Sequence, residues 1–171
     1  MGKIIFVIGG ARSGKSAYAM SRADKASEGK SFIATAEPFD NEMKERIKKH
    51  RNDRGSDWQT IEEPLDIVGA LSRNRNTKGP VILDCLTLWL SNIMRHRTDT
   101  KTSFKELIEE LGRNRSADLF IVSNEVGMGI VPENRLARQF RDMAGMLNQR
   151  VAAAADEVVL VAAGIPIKIK G

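Results

Sequence analysis

Residues 9–16 have the side chains and the spacing to bind a nucleoside triphosphate. They read GGARSGKS, the G-x-x-x-x-G-K-S pattern of a phosphate loop, and follow an apolar run, residues 4–8, that predicts a buried strand. The glycines allow a tight turn whose backbone N–H groups point at phosphate oxygens. Lys15 would place its charge on the β- and γ-phosphates, and Ser16 would offer a hydroxyl to Mg²⁺. A helix over residues 17–26 would add its positive end.

A second candidate is Asp84, which follows the apolar run Val-Ile-Leu. The carboxyl ends of parallel strands gather at one edge of a sheet, so we expect Asp84 to lie beside the Ser16 hydroxyl and to complete a Mg²⁺ site. Asn124 and Glu125 close a later strand in the same way, and Thr35 closes an earlier one. For these three residues a role in the site and a role in helix capping both remain open.

The third candidate is His50, in a charged segment that begins at Asp40. Met43, Ile47 and His50 fall on one face of the helix that this segment predicts. Two interpretations remain open. One is a solvated basic helix with a packed histidine. The other is a phosphate clamp around a nucleophilic imidazole, because six cations crowd the segment: Lys44, Arg46, Lys48, Lys49, Arg51 and Arg54.

Apolar runs alternate with helical patterns along the chain, which is typical of an α/β fold: a mostly parallel sheet flanked by helices. The predicted strands are residues 4–8, 31–34, 80–83, 119–122, 157–161 and 165–169. Further helices are predicted over residues 65–71, 86–94 and 133–155, and from a capping box at Ser103 and Glu106 after a loop over residues 96–102. The last two strands are expected to form an antiparallel hairpin at the sheet edge, with Ala163 and Gly164 in the turn.

Composition limits the possibilities further. With 171 residues, of which 42% are hydrophobic and 29% charged, we expect one globular domain over residues 1–171. Cys85 is the one cysteine, so no internal disulfide is possible, and we expect a packed, inert thiol in a reducing cytoplasm. No apolar run approaches the roughly 20 residues of a membrane span and no leader is evident. We expect His96, the other histidine, at the surface.

The net charge of +5 suits a nucleic acid and a small polyphosphate equally well. Charge alone therefore leaves two simple functions open, a small-molecule kinase and a nucleic-acid-stimulated ATPase. A plain small-molecule kinase would need the phosphate loop and Asp84 and would form no covalent nucleotide adduct. A nucleic-acid-stimulated ATPase would also need stacking platforms, and the 5% of aromatic residues shows no basic-aromatic interleaving.

Four segments together resemble a known family. They are the phosphate loop, Ala34-Thr35-Ala36, the segment RIKKHR that ends at Arg51, and above all NEVGMGIVPENRLAR, which runs from Asn124 to Arg138. These resemble the bifunctional adenosylcobinamide kinase / adenosylcobinamide-phosphate guanylyltransferase of cobalamin synthesis, over essentially the whole chain. The resemblance implies a RecA-like phosphate-loop fold and a homo-oligomer, a trimer by analogy. ATP or GTP would phosphorylate adenosylcobinamide, and GMP from GTP would then pass through an enzyme histidine to the phosphorylated product.

The resemblance also implies roles for particular residues. It places the guanylylated histidine at His50, where some relatives carry two adjacent histidines and this chain has Lys49-His50. Lys15 would be the second catalytic residue, and Ser16 and Asp84 would hold Mg²⁺. The nucleotide contacts would be Gly9, Gly10, Ala11, Arg12, Ser13, Gly14, Lys15, Ser16, Ala34, Thr35, Ala36, Arg51, Asn52, Asp53, Arg54, Glu62 and Asp84. Glu125, Asn134 and Arg135 are candidates for contact with substrate or with a neighbouring subunit.

Overall fold

A seven-stranded sheet forms the centre of the protein in a computed structural model that describes residues 1–25, 29–38, 44–45 and 57–171. The sheet order is β3-β2-β4-β5-β1-β6-β7. The strands are β1 (Ile4–Gly9), β2 (Lys30–Ala34), β3 (Trp58–Glu62), β4 (Val81–Asp84), β5 (Leu119–Asn124), β6 (Glu157–Ala162) and β7 (Ile165–Lys170). The first six run parallel and β7 is antiparallel to β6, which confirms the predicted α/β class and its antiparallel edge.

Helices pack on both faces of this sheet. They are α1 (Lys15–Ala23), α2 (Ile67–Arg73), α3 (Leu86–Arg95), α4 (Thr100–Leu111) and α5 (Arg135–Ala154). Successive residues of β1 point to opposite faces, so Phe6 packs in the cluster with α2 to α5 while Ile5 and Val7 pack in the cluster with α1. The buried central strands therefore read as continuous apolar runs, because both of their faces are covered. None of the described helices is long and apolar enough to cross a bilayer.

The hairpin of β6 and β7 confirms the prediction for the end of the chain. Ala163 and Gly164 both have positive φ, 51° and 81°, as a two-residue turn between twisted strands requires. Gly164 adopts this conformation without a side-chain clash. The turn lies at the carboxyl end of β6, beside the end of β1, because the two strands are paired from Ile5 with Glu157 to Gly9 with Val161.

One sequence prediction was wrong, and one strand was missed. Helix α4 begins at Thr100, not at Ser103: its cap is Asp99, which accepts from the Lys101 N–H at 3.1 Å and the Thr102 hydroxyl at 2.6 Å. Ser103 lies inside the helix and donates to the Asp99 carbonyl at 3.0 Å, so the predicted loop over residues 96–102 ends earlier.

Strand β3 was missed. Its sequence, WQTIE, shows little apolar alternation, as suits a sheet-edge strand in which only Trp58 is buried.

Candidate nucleotide-binding site

The phosphate loop, residues 9–16, joins the end of β1 to the start of α1. The Ser13 N–H donates to the Gly10 carbonyl at 3.3 Å, and the Tyr18 N–H donates to Gly14 at 2.9 Å as the helix begins. Arg12 and Gly14 have positive φ, 54° and 95°. At Gly14, the residue before the first turn of α1, glycine avoids the strain that a side chain would meet. The loop thus curls in front of the positive end of α1, a geometry suited to anions.

Lys15 is folded back over this loop. It is buried, with 7% of its surface exposed, and its Nζ donates to the Gly10 carbonyl at 2.8 Å. This contact holds the ammonium group against the backbone of the loop, where phosphates would enter. A charge kept in a partly desolvated position acts more strongly on a bound phosphate than one in open water.

The β6–β7 turn supports the phosphate loop from the side. The Gly164 N–H donates to the Ser13 carbonyl at 2.9 Å. A Cβ on Gly9 would lie 2.3 Å from the Val161 carbonyl oxygen and 2.7 Å from Ser13 Oγ, and one on Gly14 would lie 3.3 Å from Gly164 Cα. The contact therefore needs glycine on the loop side. Sequence reasoning missed this support, and its one signal was the Ala163-Gly164 turn.

Asp84 lies at the same edge of the sheet as the phosphate loop. It pairs in register with Val122 of β5, which pairs with Val7 of β1, so two strand spacings, about 10 Å, separate it from β1. In-register residues point to one face, and Val7 and Val122 face α1. Asp84 is thus on the side of the sheet where α1 presents Lys15 and Ser16.

Ala34 and Glu62 extend the in-register row of Val7, Val122 and Asp84 toward the β3 edge of the sheet. Ala34 is in register with both Asp84 and Glu62, and the Glu63 N–H donates to the Ala34 carbonyl at 2.9 Å. Glu62 is four strands from β1, about 19 Å away. It shares the edge of the sheet with the phosphate loop but does not neighbour it. That separation suits the end of a nucleotide remote from its γ-phosphate.

Thr35 is fully buried, and its side chain is engaged within the protein. Its hydroxyl donates to the Cys85 carbonyl and accepts from the Cys85 N–H, both at 2.8 Å, and the Thr35 N–H donates to the Asp84 carbonyl at 3.1 Å. Asn92 Nδ2 donates to the Thr35 carbonyl at 2.8 Å. These bonds leave the hydroxyl no open face for a nucleotide. They join the end of β2 to the residue that carries the candidate metal carboxylate.

Cys85 is buried, as predicted. Burial, and then the charge of Asp84, raise the pKa of the Cys85 thiol to about 11, while the Lys15 charge acts in the opposite direction. A thiol that stays protonated is a poor nucleophile, which agrees with the expected inert role.

The end of β5 is fixed to its surroundings by Asn124. Its Nδ2 donates to Thr87 Oγ1 at 2.7 Å, and its carbonyl accepts from Asn148 Nδ2 at 3.2 Å. The Glu125 N–H donates to the Gly9 carbonyl at 2.9 Å, so the segment after β5 starts directly at the phosphate loop. Asn134, in contrast, is a helix cap: it accepts from the Leu136 N–H at 2.8 Å at the start of α5.

The remaining candidates divide into two groups. His96 is at the surface, as predicted, with its Nε2 3.5 Å from a Glu37 carboxylate oxygen. The predicted nucleophile and the four contacts after it lie outside the described residues: His50, Arg51, Asn52, Asp53 and Arg54. Within the part of the chain that the structure describes, no group of three or more His, Cys, Asp or Glu side chains could hold a metal ion.

Comparisons with known proteins agree on one family. The model of the CobU family, cobinamide kinase / cobinamide phosphate guanyltransferase, matches residues 5–169. The bifunctional adenosylcobalamin biosynthesis protein CobP of Pseudomonas aeruginosa is 39% identical, with 96% of each chain covered. The bifunctional adenosylcobalamin biosynthesis protein CobU of Escherichia coli is 40% identical, with 98% of this chain and 99% of that protein covered.

Solved structures show a similar fold at low identity. The flagellar accessory protein FlaH from Methanocaldococcus jannaschii superposes with a TM-score of 0.57 over 98% of this chain and 78% of that one, at 11% identity. A type III secretion ATPase of pathogenic bacteria superposes with a TM-score of 0.56 at 12% identity, and this chain, 94% covered, spans 51% of its length. The fold is thus the RecA-like fold of phosphate-loop ATPases.

Proposed function

This chain belongs to the cobinamide kinase / cobinamide phosphate guanyltransferase family, and from that premise we propose which residues carry the two reactions. The protein is a bifunctional transferase of cobalamin biosynthesis. The observation that best supports a residue assignment is the phosphate loop, with Lys15 folded over it and Asp84 at the same sheet edge. Both reactions would use this nucleotide site.

The first reaction is phosphoryl transfer. An oxygen of the adenosylcobinamide hydroxyl attacks the γ-phosphorus of ATP or GTP, the bond to the bridging oxygen breaks, the nucleoside diphosphate leaves and the hydroxyl proton passes to solvent. Lys15 and the loop N–H groups balance the charge on the transferring group. We assign nucleotide contacts to the phosphate loop, to residues 34–36 and, remote from the phosphates, to Glu62.

Mg²⁺ is the metal that this donor set fits. Magnesium is usually held by one or two protein oxygens together with substrate phosphates, and it needs no dedicated cluster of carboxylates. Ser16, at the start of α1, would supply a hydroxyl, and Asp84, at the same edge of the sheet, would supply a carboxylate. When bound, the ion would neutralise charge on the β- and γ-phosphate oxygens. The network of Thr35 and Cys85 would keep Asp84 in place.

The second reaction is guanylyl transfer through His50. A nitrogen of the imidazole attacks the α-phosphorus of GTP and pyrophosphate leaves, giving a phosphoramidate. An oxygen of cobinamide phosphate then displaces the imidazole and yields the GDP derivative. The proposal rests on the sequence match and on the neighbouring cations, with Arg51, Asn52, Asp53 and Arg54 as further contacts. Covalent transfer divides one difficult displacement into two easier ones.

We further propose that the enzyme works in the cytoplasm as a homo-oligomer, a trimer by analogy, without a nucleic-acid partner. The edge strand β7 supports assembly. It is the outermost strand of the sheet in the described part of the chain, and it carries three exposed isoleucines, Ile165, Ile167 and Ile169, that a second copy could cover. One cysteine, buried and reduced, agrees with a reducing compartment.

The assignment of His50 is tested by separating the two activities. His50→Ala should lose guanylyl transfer and the labelled GMP adduct, while phosphorylation of adenosylcobinamide continues at the phosphate loop. His96→Ala is the matched control and should keep both activities. Labelled GMP on folded His50→Ala protein would contradict the assignment. Retained guanylyl transfer in that variant would contradict it too, and would point to direct transfer without a covalent step.

A further inference from the structure

The segment after β5 exposes an unusual amount of apolar surface. Residues 126–131, here called the apolar loop, read Val-Gly-Met-Gly-Ile-Val. Met128 is 82% exposed, Ile130 97% and Val131 59%, and Leu136 at the start of α5 adds 63%. Single exposed apolar residues are ordinary, but a contiguous group of this size marks a surface that contacts something.

The apolar loop is fixed at both ends and projects in the middle. At its start the Glu125 N–H donates to the Gly9 carbonyl at 2.9 Å. Beyond its end, Asn134 caps α5 and Arg138 Nη1 donates to the Pro132 carbonyl at 3.0 Å. A side chain added at Gly129, within the projecting part, would meet nothing within 4 Å. The loop is therefore held at both ends, with its start next to the phosphate loop, and presents its apolar side chains between them.

We propose that the apolar loop is the docking surface for the corrin macrocycle of the acceptor, an inference that rests on the proposed function. The acceptor's hydroxyl or phosphate must reach the nucleotide phosphates. The rest of this large molecule must therefore lie against the protein surface next to the phosphate loop. A corrinoid carries many methyl and methylene groups at its periphery, and these gain from contact with Met, Ile and Val side chains.

The position of the loop favours the acceptor over a second copy of the chain. The loop follows β5 and emerges beside Gly9, the last residue of β1, whereas β7 provides a separate apolar surface at the edge of the sheet, on the other side of β1 from β5. A partner subunit therefore has another surface to cover. Two glycines within the loop, Gly127 and Gly129, allow it to adapt to an irregular ligand.

The test uses the full enzyme and two loop variants, Met128→Ser and Ile130→Ser. The matched control is Met146→Ser, an exposed methionine on α5 about 16 Å along the helix from its start. Each loop variant should raise KM for adenosylcobinamide about tenfold, because one apolar side chain loses its contact with the ligand. KM for GTP and formation of the GMP adduct without corrinoid should equal those of the unmodified enzyme.

Three results would overturn the proposal. One is an unchanged KM for adenosylcobinamide in both loop variants, and another is an equal rise in Met146→Ser. The third is a change in sedimentation mass without a change in that KM, which would make the loop a subunit interface. Failure of the His50 assignment remains distinguishable, since it would appear in the unmodified enzyme as the absence of a histidine adduct.

Discussion

Thr35→Val should destabilise the protein although it preserves the shape of a fully buried side chain. The Thr35 hydroxyl makes two bonds to Cys85, both at 2.8 Å. Without it the Cys85 carbonyl still accepts from the Trp89 N–H at 3.1 Å, but the Cys85 N–H loses its hydroxyl partner. A buried donor left without a partner costs about 1–3 kcal/mol. That is a large part of a total stability of about 5–15 kcal/mol.

Urea unfolding measures this loss through the midpoint at constant slope. Thr35→Ser is the control, since it keeps the hydroxyl and removes one methyl group, at a cost near 1 kcal/mol. Because Cys85 follows Asp84, Thr35→Val should also raise the Mg²⁺ concentration needed for half-maximal kinase activity, and Thr35→Ser should not. A Thr35→Val protein whose urea midpoint and Mg²⁺ dependence equal those of the unmodified enzyme would refute the reasoning.

Three further predictions concern the same edge of the sheet. Lys15→Ala should lower phosphorylation by orders of magnitude with the fold intact, as seen by circular dichroism, because the charge on the β- and γ-phosphates is lost; normal kinase rates would rule the role out. Asp84→Asn keeps the shape and removes the charge, so a Mg²⁺ titration of activity should shift to higher concentration, and an unshifted titration would mean a structural aspartate. Burial raises the pKa of the Cys85 thiol from 9.0 to about 11, so on raising the pH this thiol ionises in the unfolded chain before it ionises in the folded protein. The free energy of unfolding should therefore fall as the pH rises from about 9 to about 11. Urea midpoints across that range check the sign, and a Cys85→Ala protein with the same decline would contradict it.

Much of the site follows from local sequence, and the remainder depends on contacts between distant parts of the chain. The phosphate loop could be predicted because its glycines, Lys15 and Ser16 are contiguous in sequence and lie in one turn and one helix start. The support that Gly164 gives to Ser13 joins residues about 150 positions apart and exists only because β6 pairs with β1. No local pattern reports such a contact.

Thr35 and strand β3 illustrate the same limit. The sequence left the role of Thr35 open between the site and a helix cap, and the pairing of β2 with β4 places Cys85 against its hydroxyl, a contact that no local pattern indicates. Strand β3 forms because the β2 edge offers partners to a sequence with little strand pattern of its own. Glu62, the last residue of β3, became a site candidate through family resemblance alone.

The most direct test of the central claim is mass spectrometry of the unmodified enzyme after incubation with GTP and Mg²⁺ in the absence of corrinoid. The account predicts one GMP per chain, lost in acid and stable in base, with the modified peptide carrying it on His50. The same adduct should disappear when adenosylcobinamide phosphate is added, with release of the GDP derivative. A GMP group on any other residue, or guanylyl transfer at the normal rate with no adduct formed, would contradict the account.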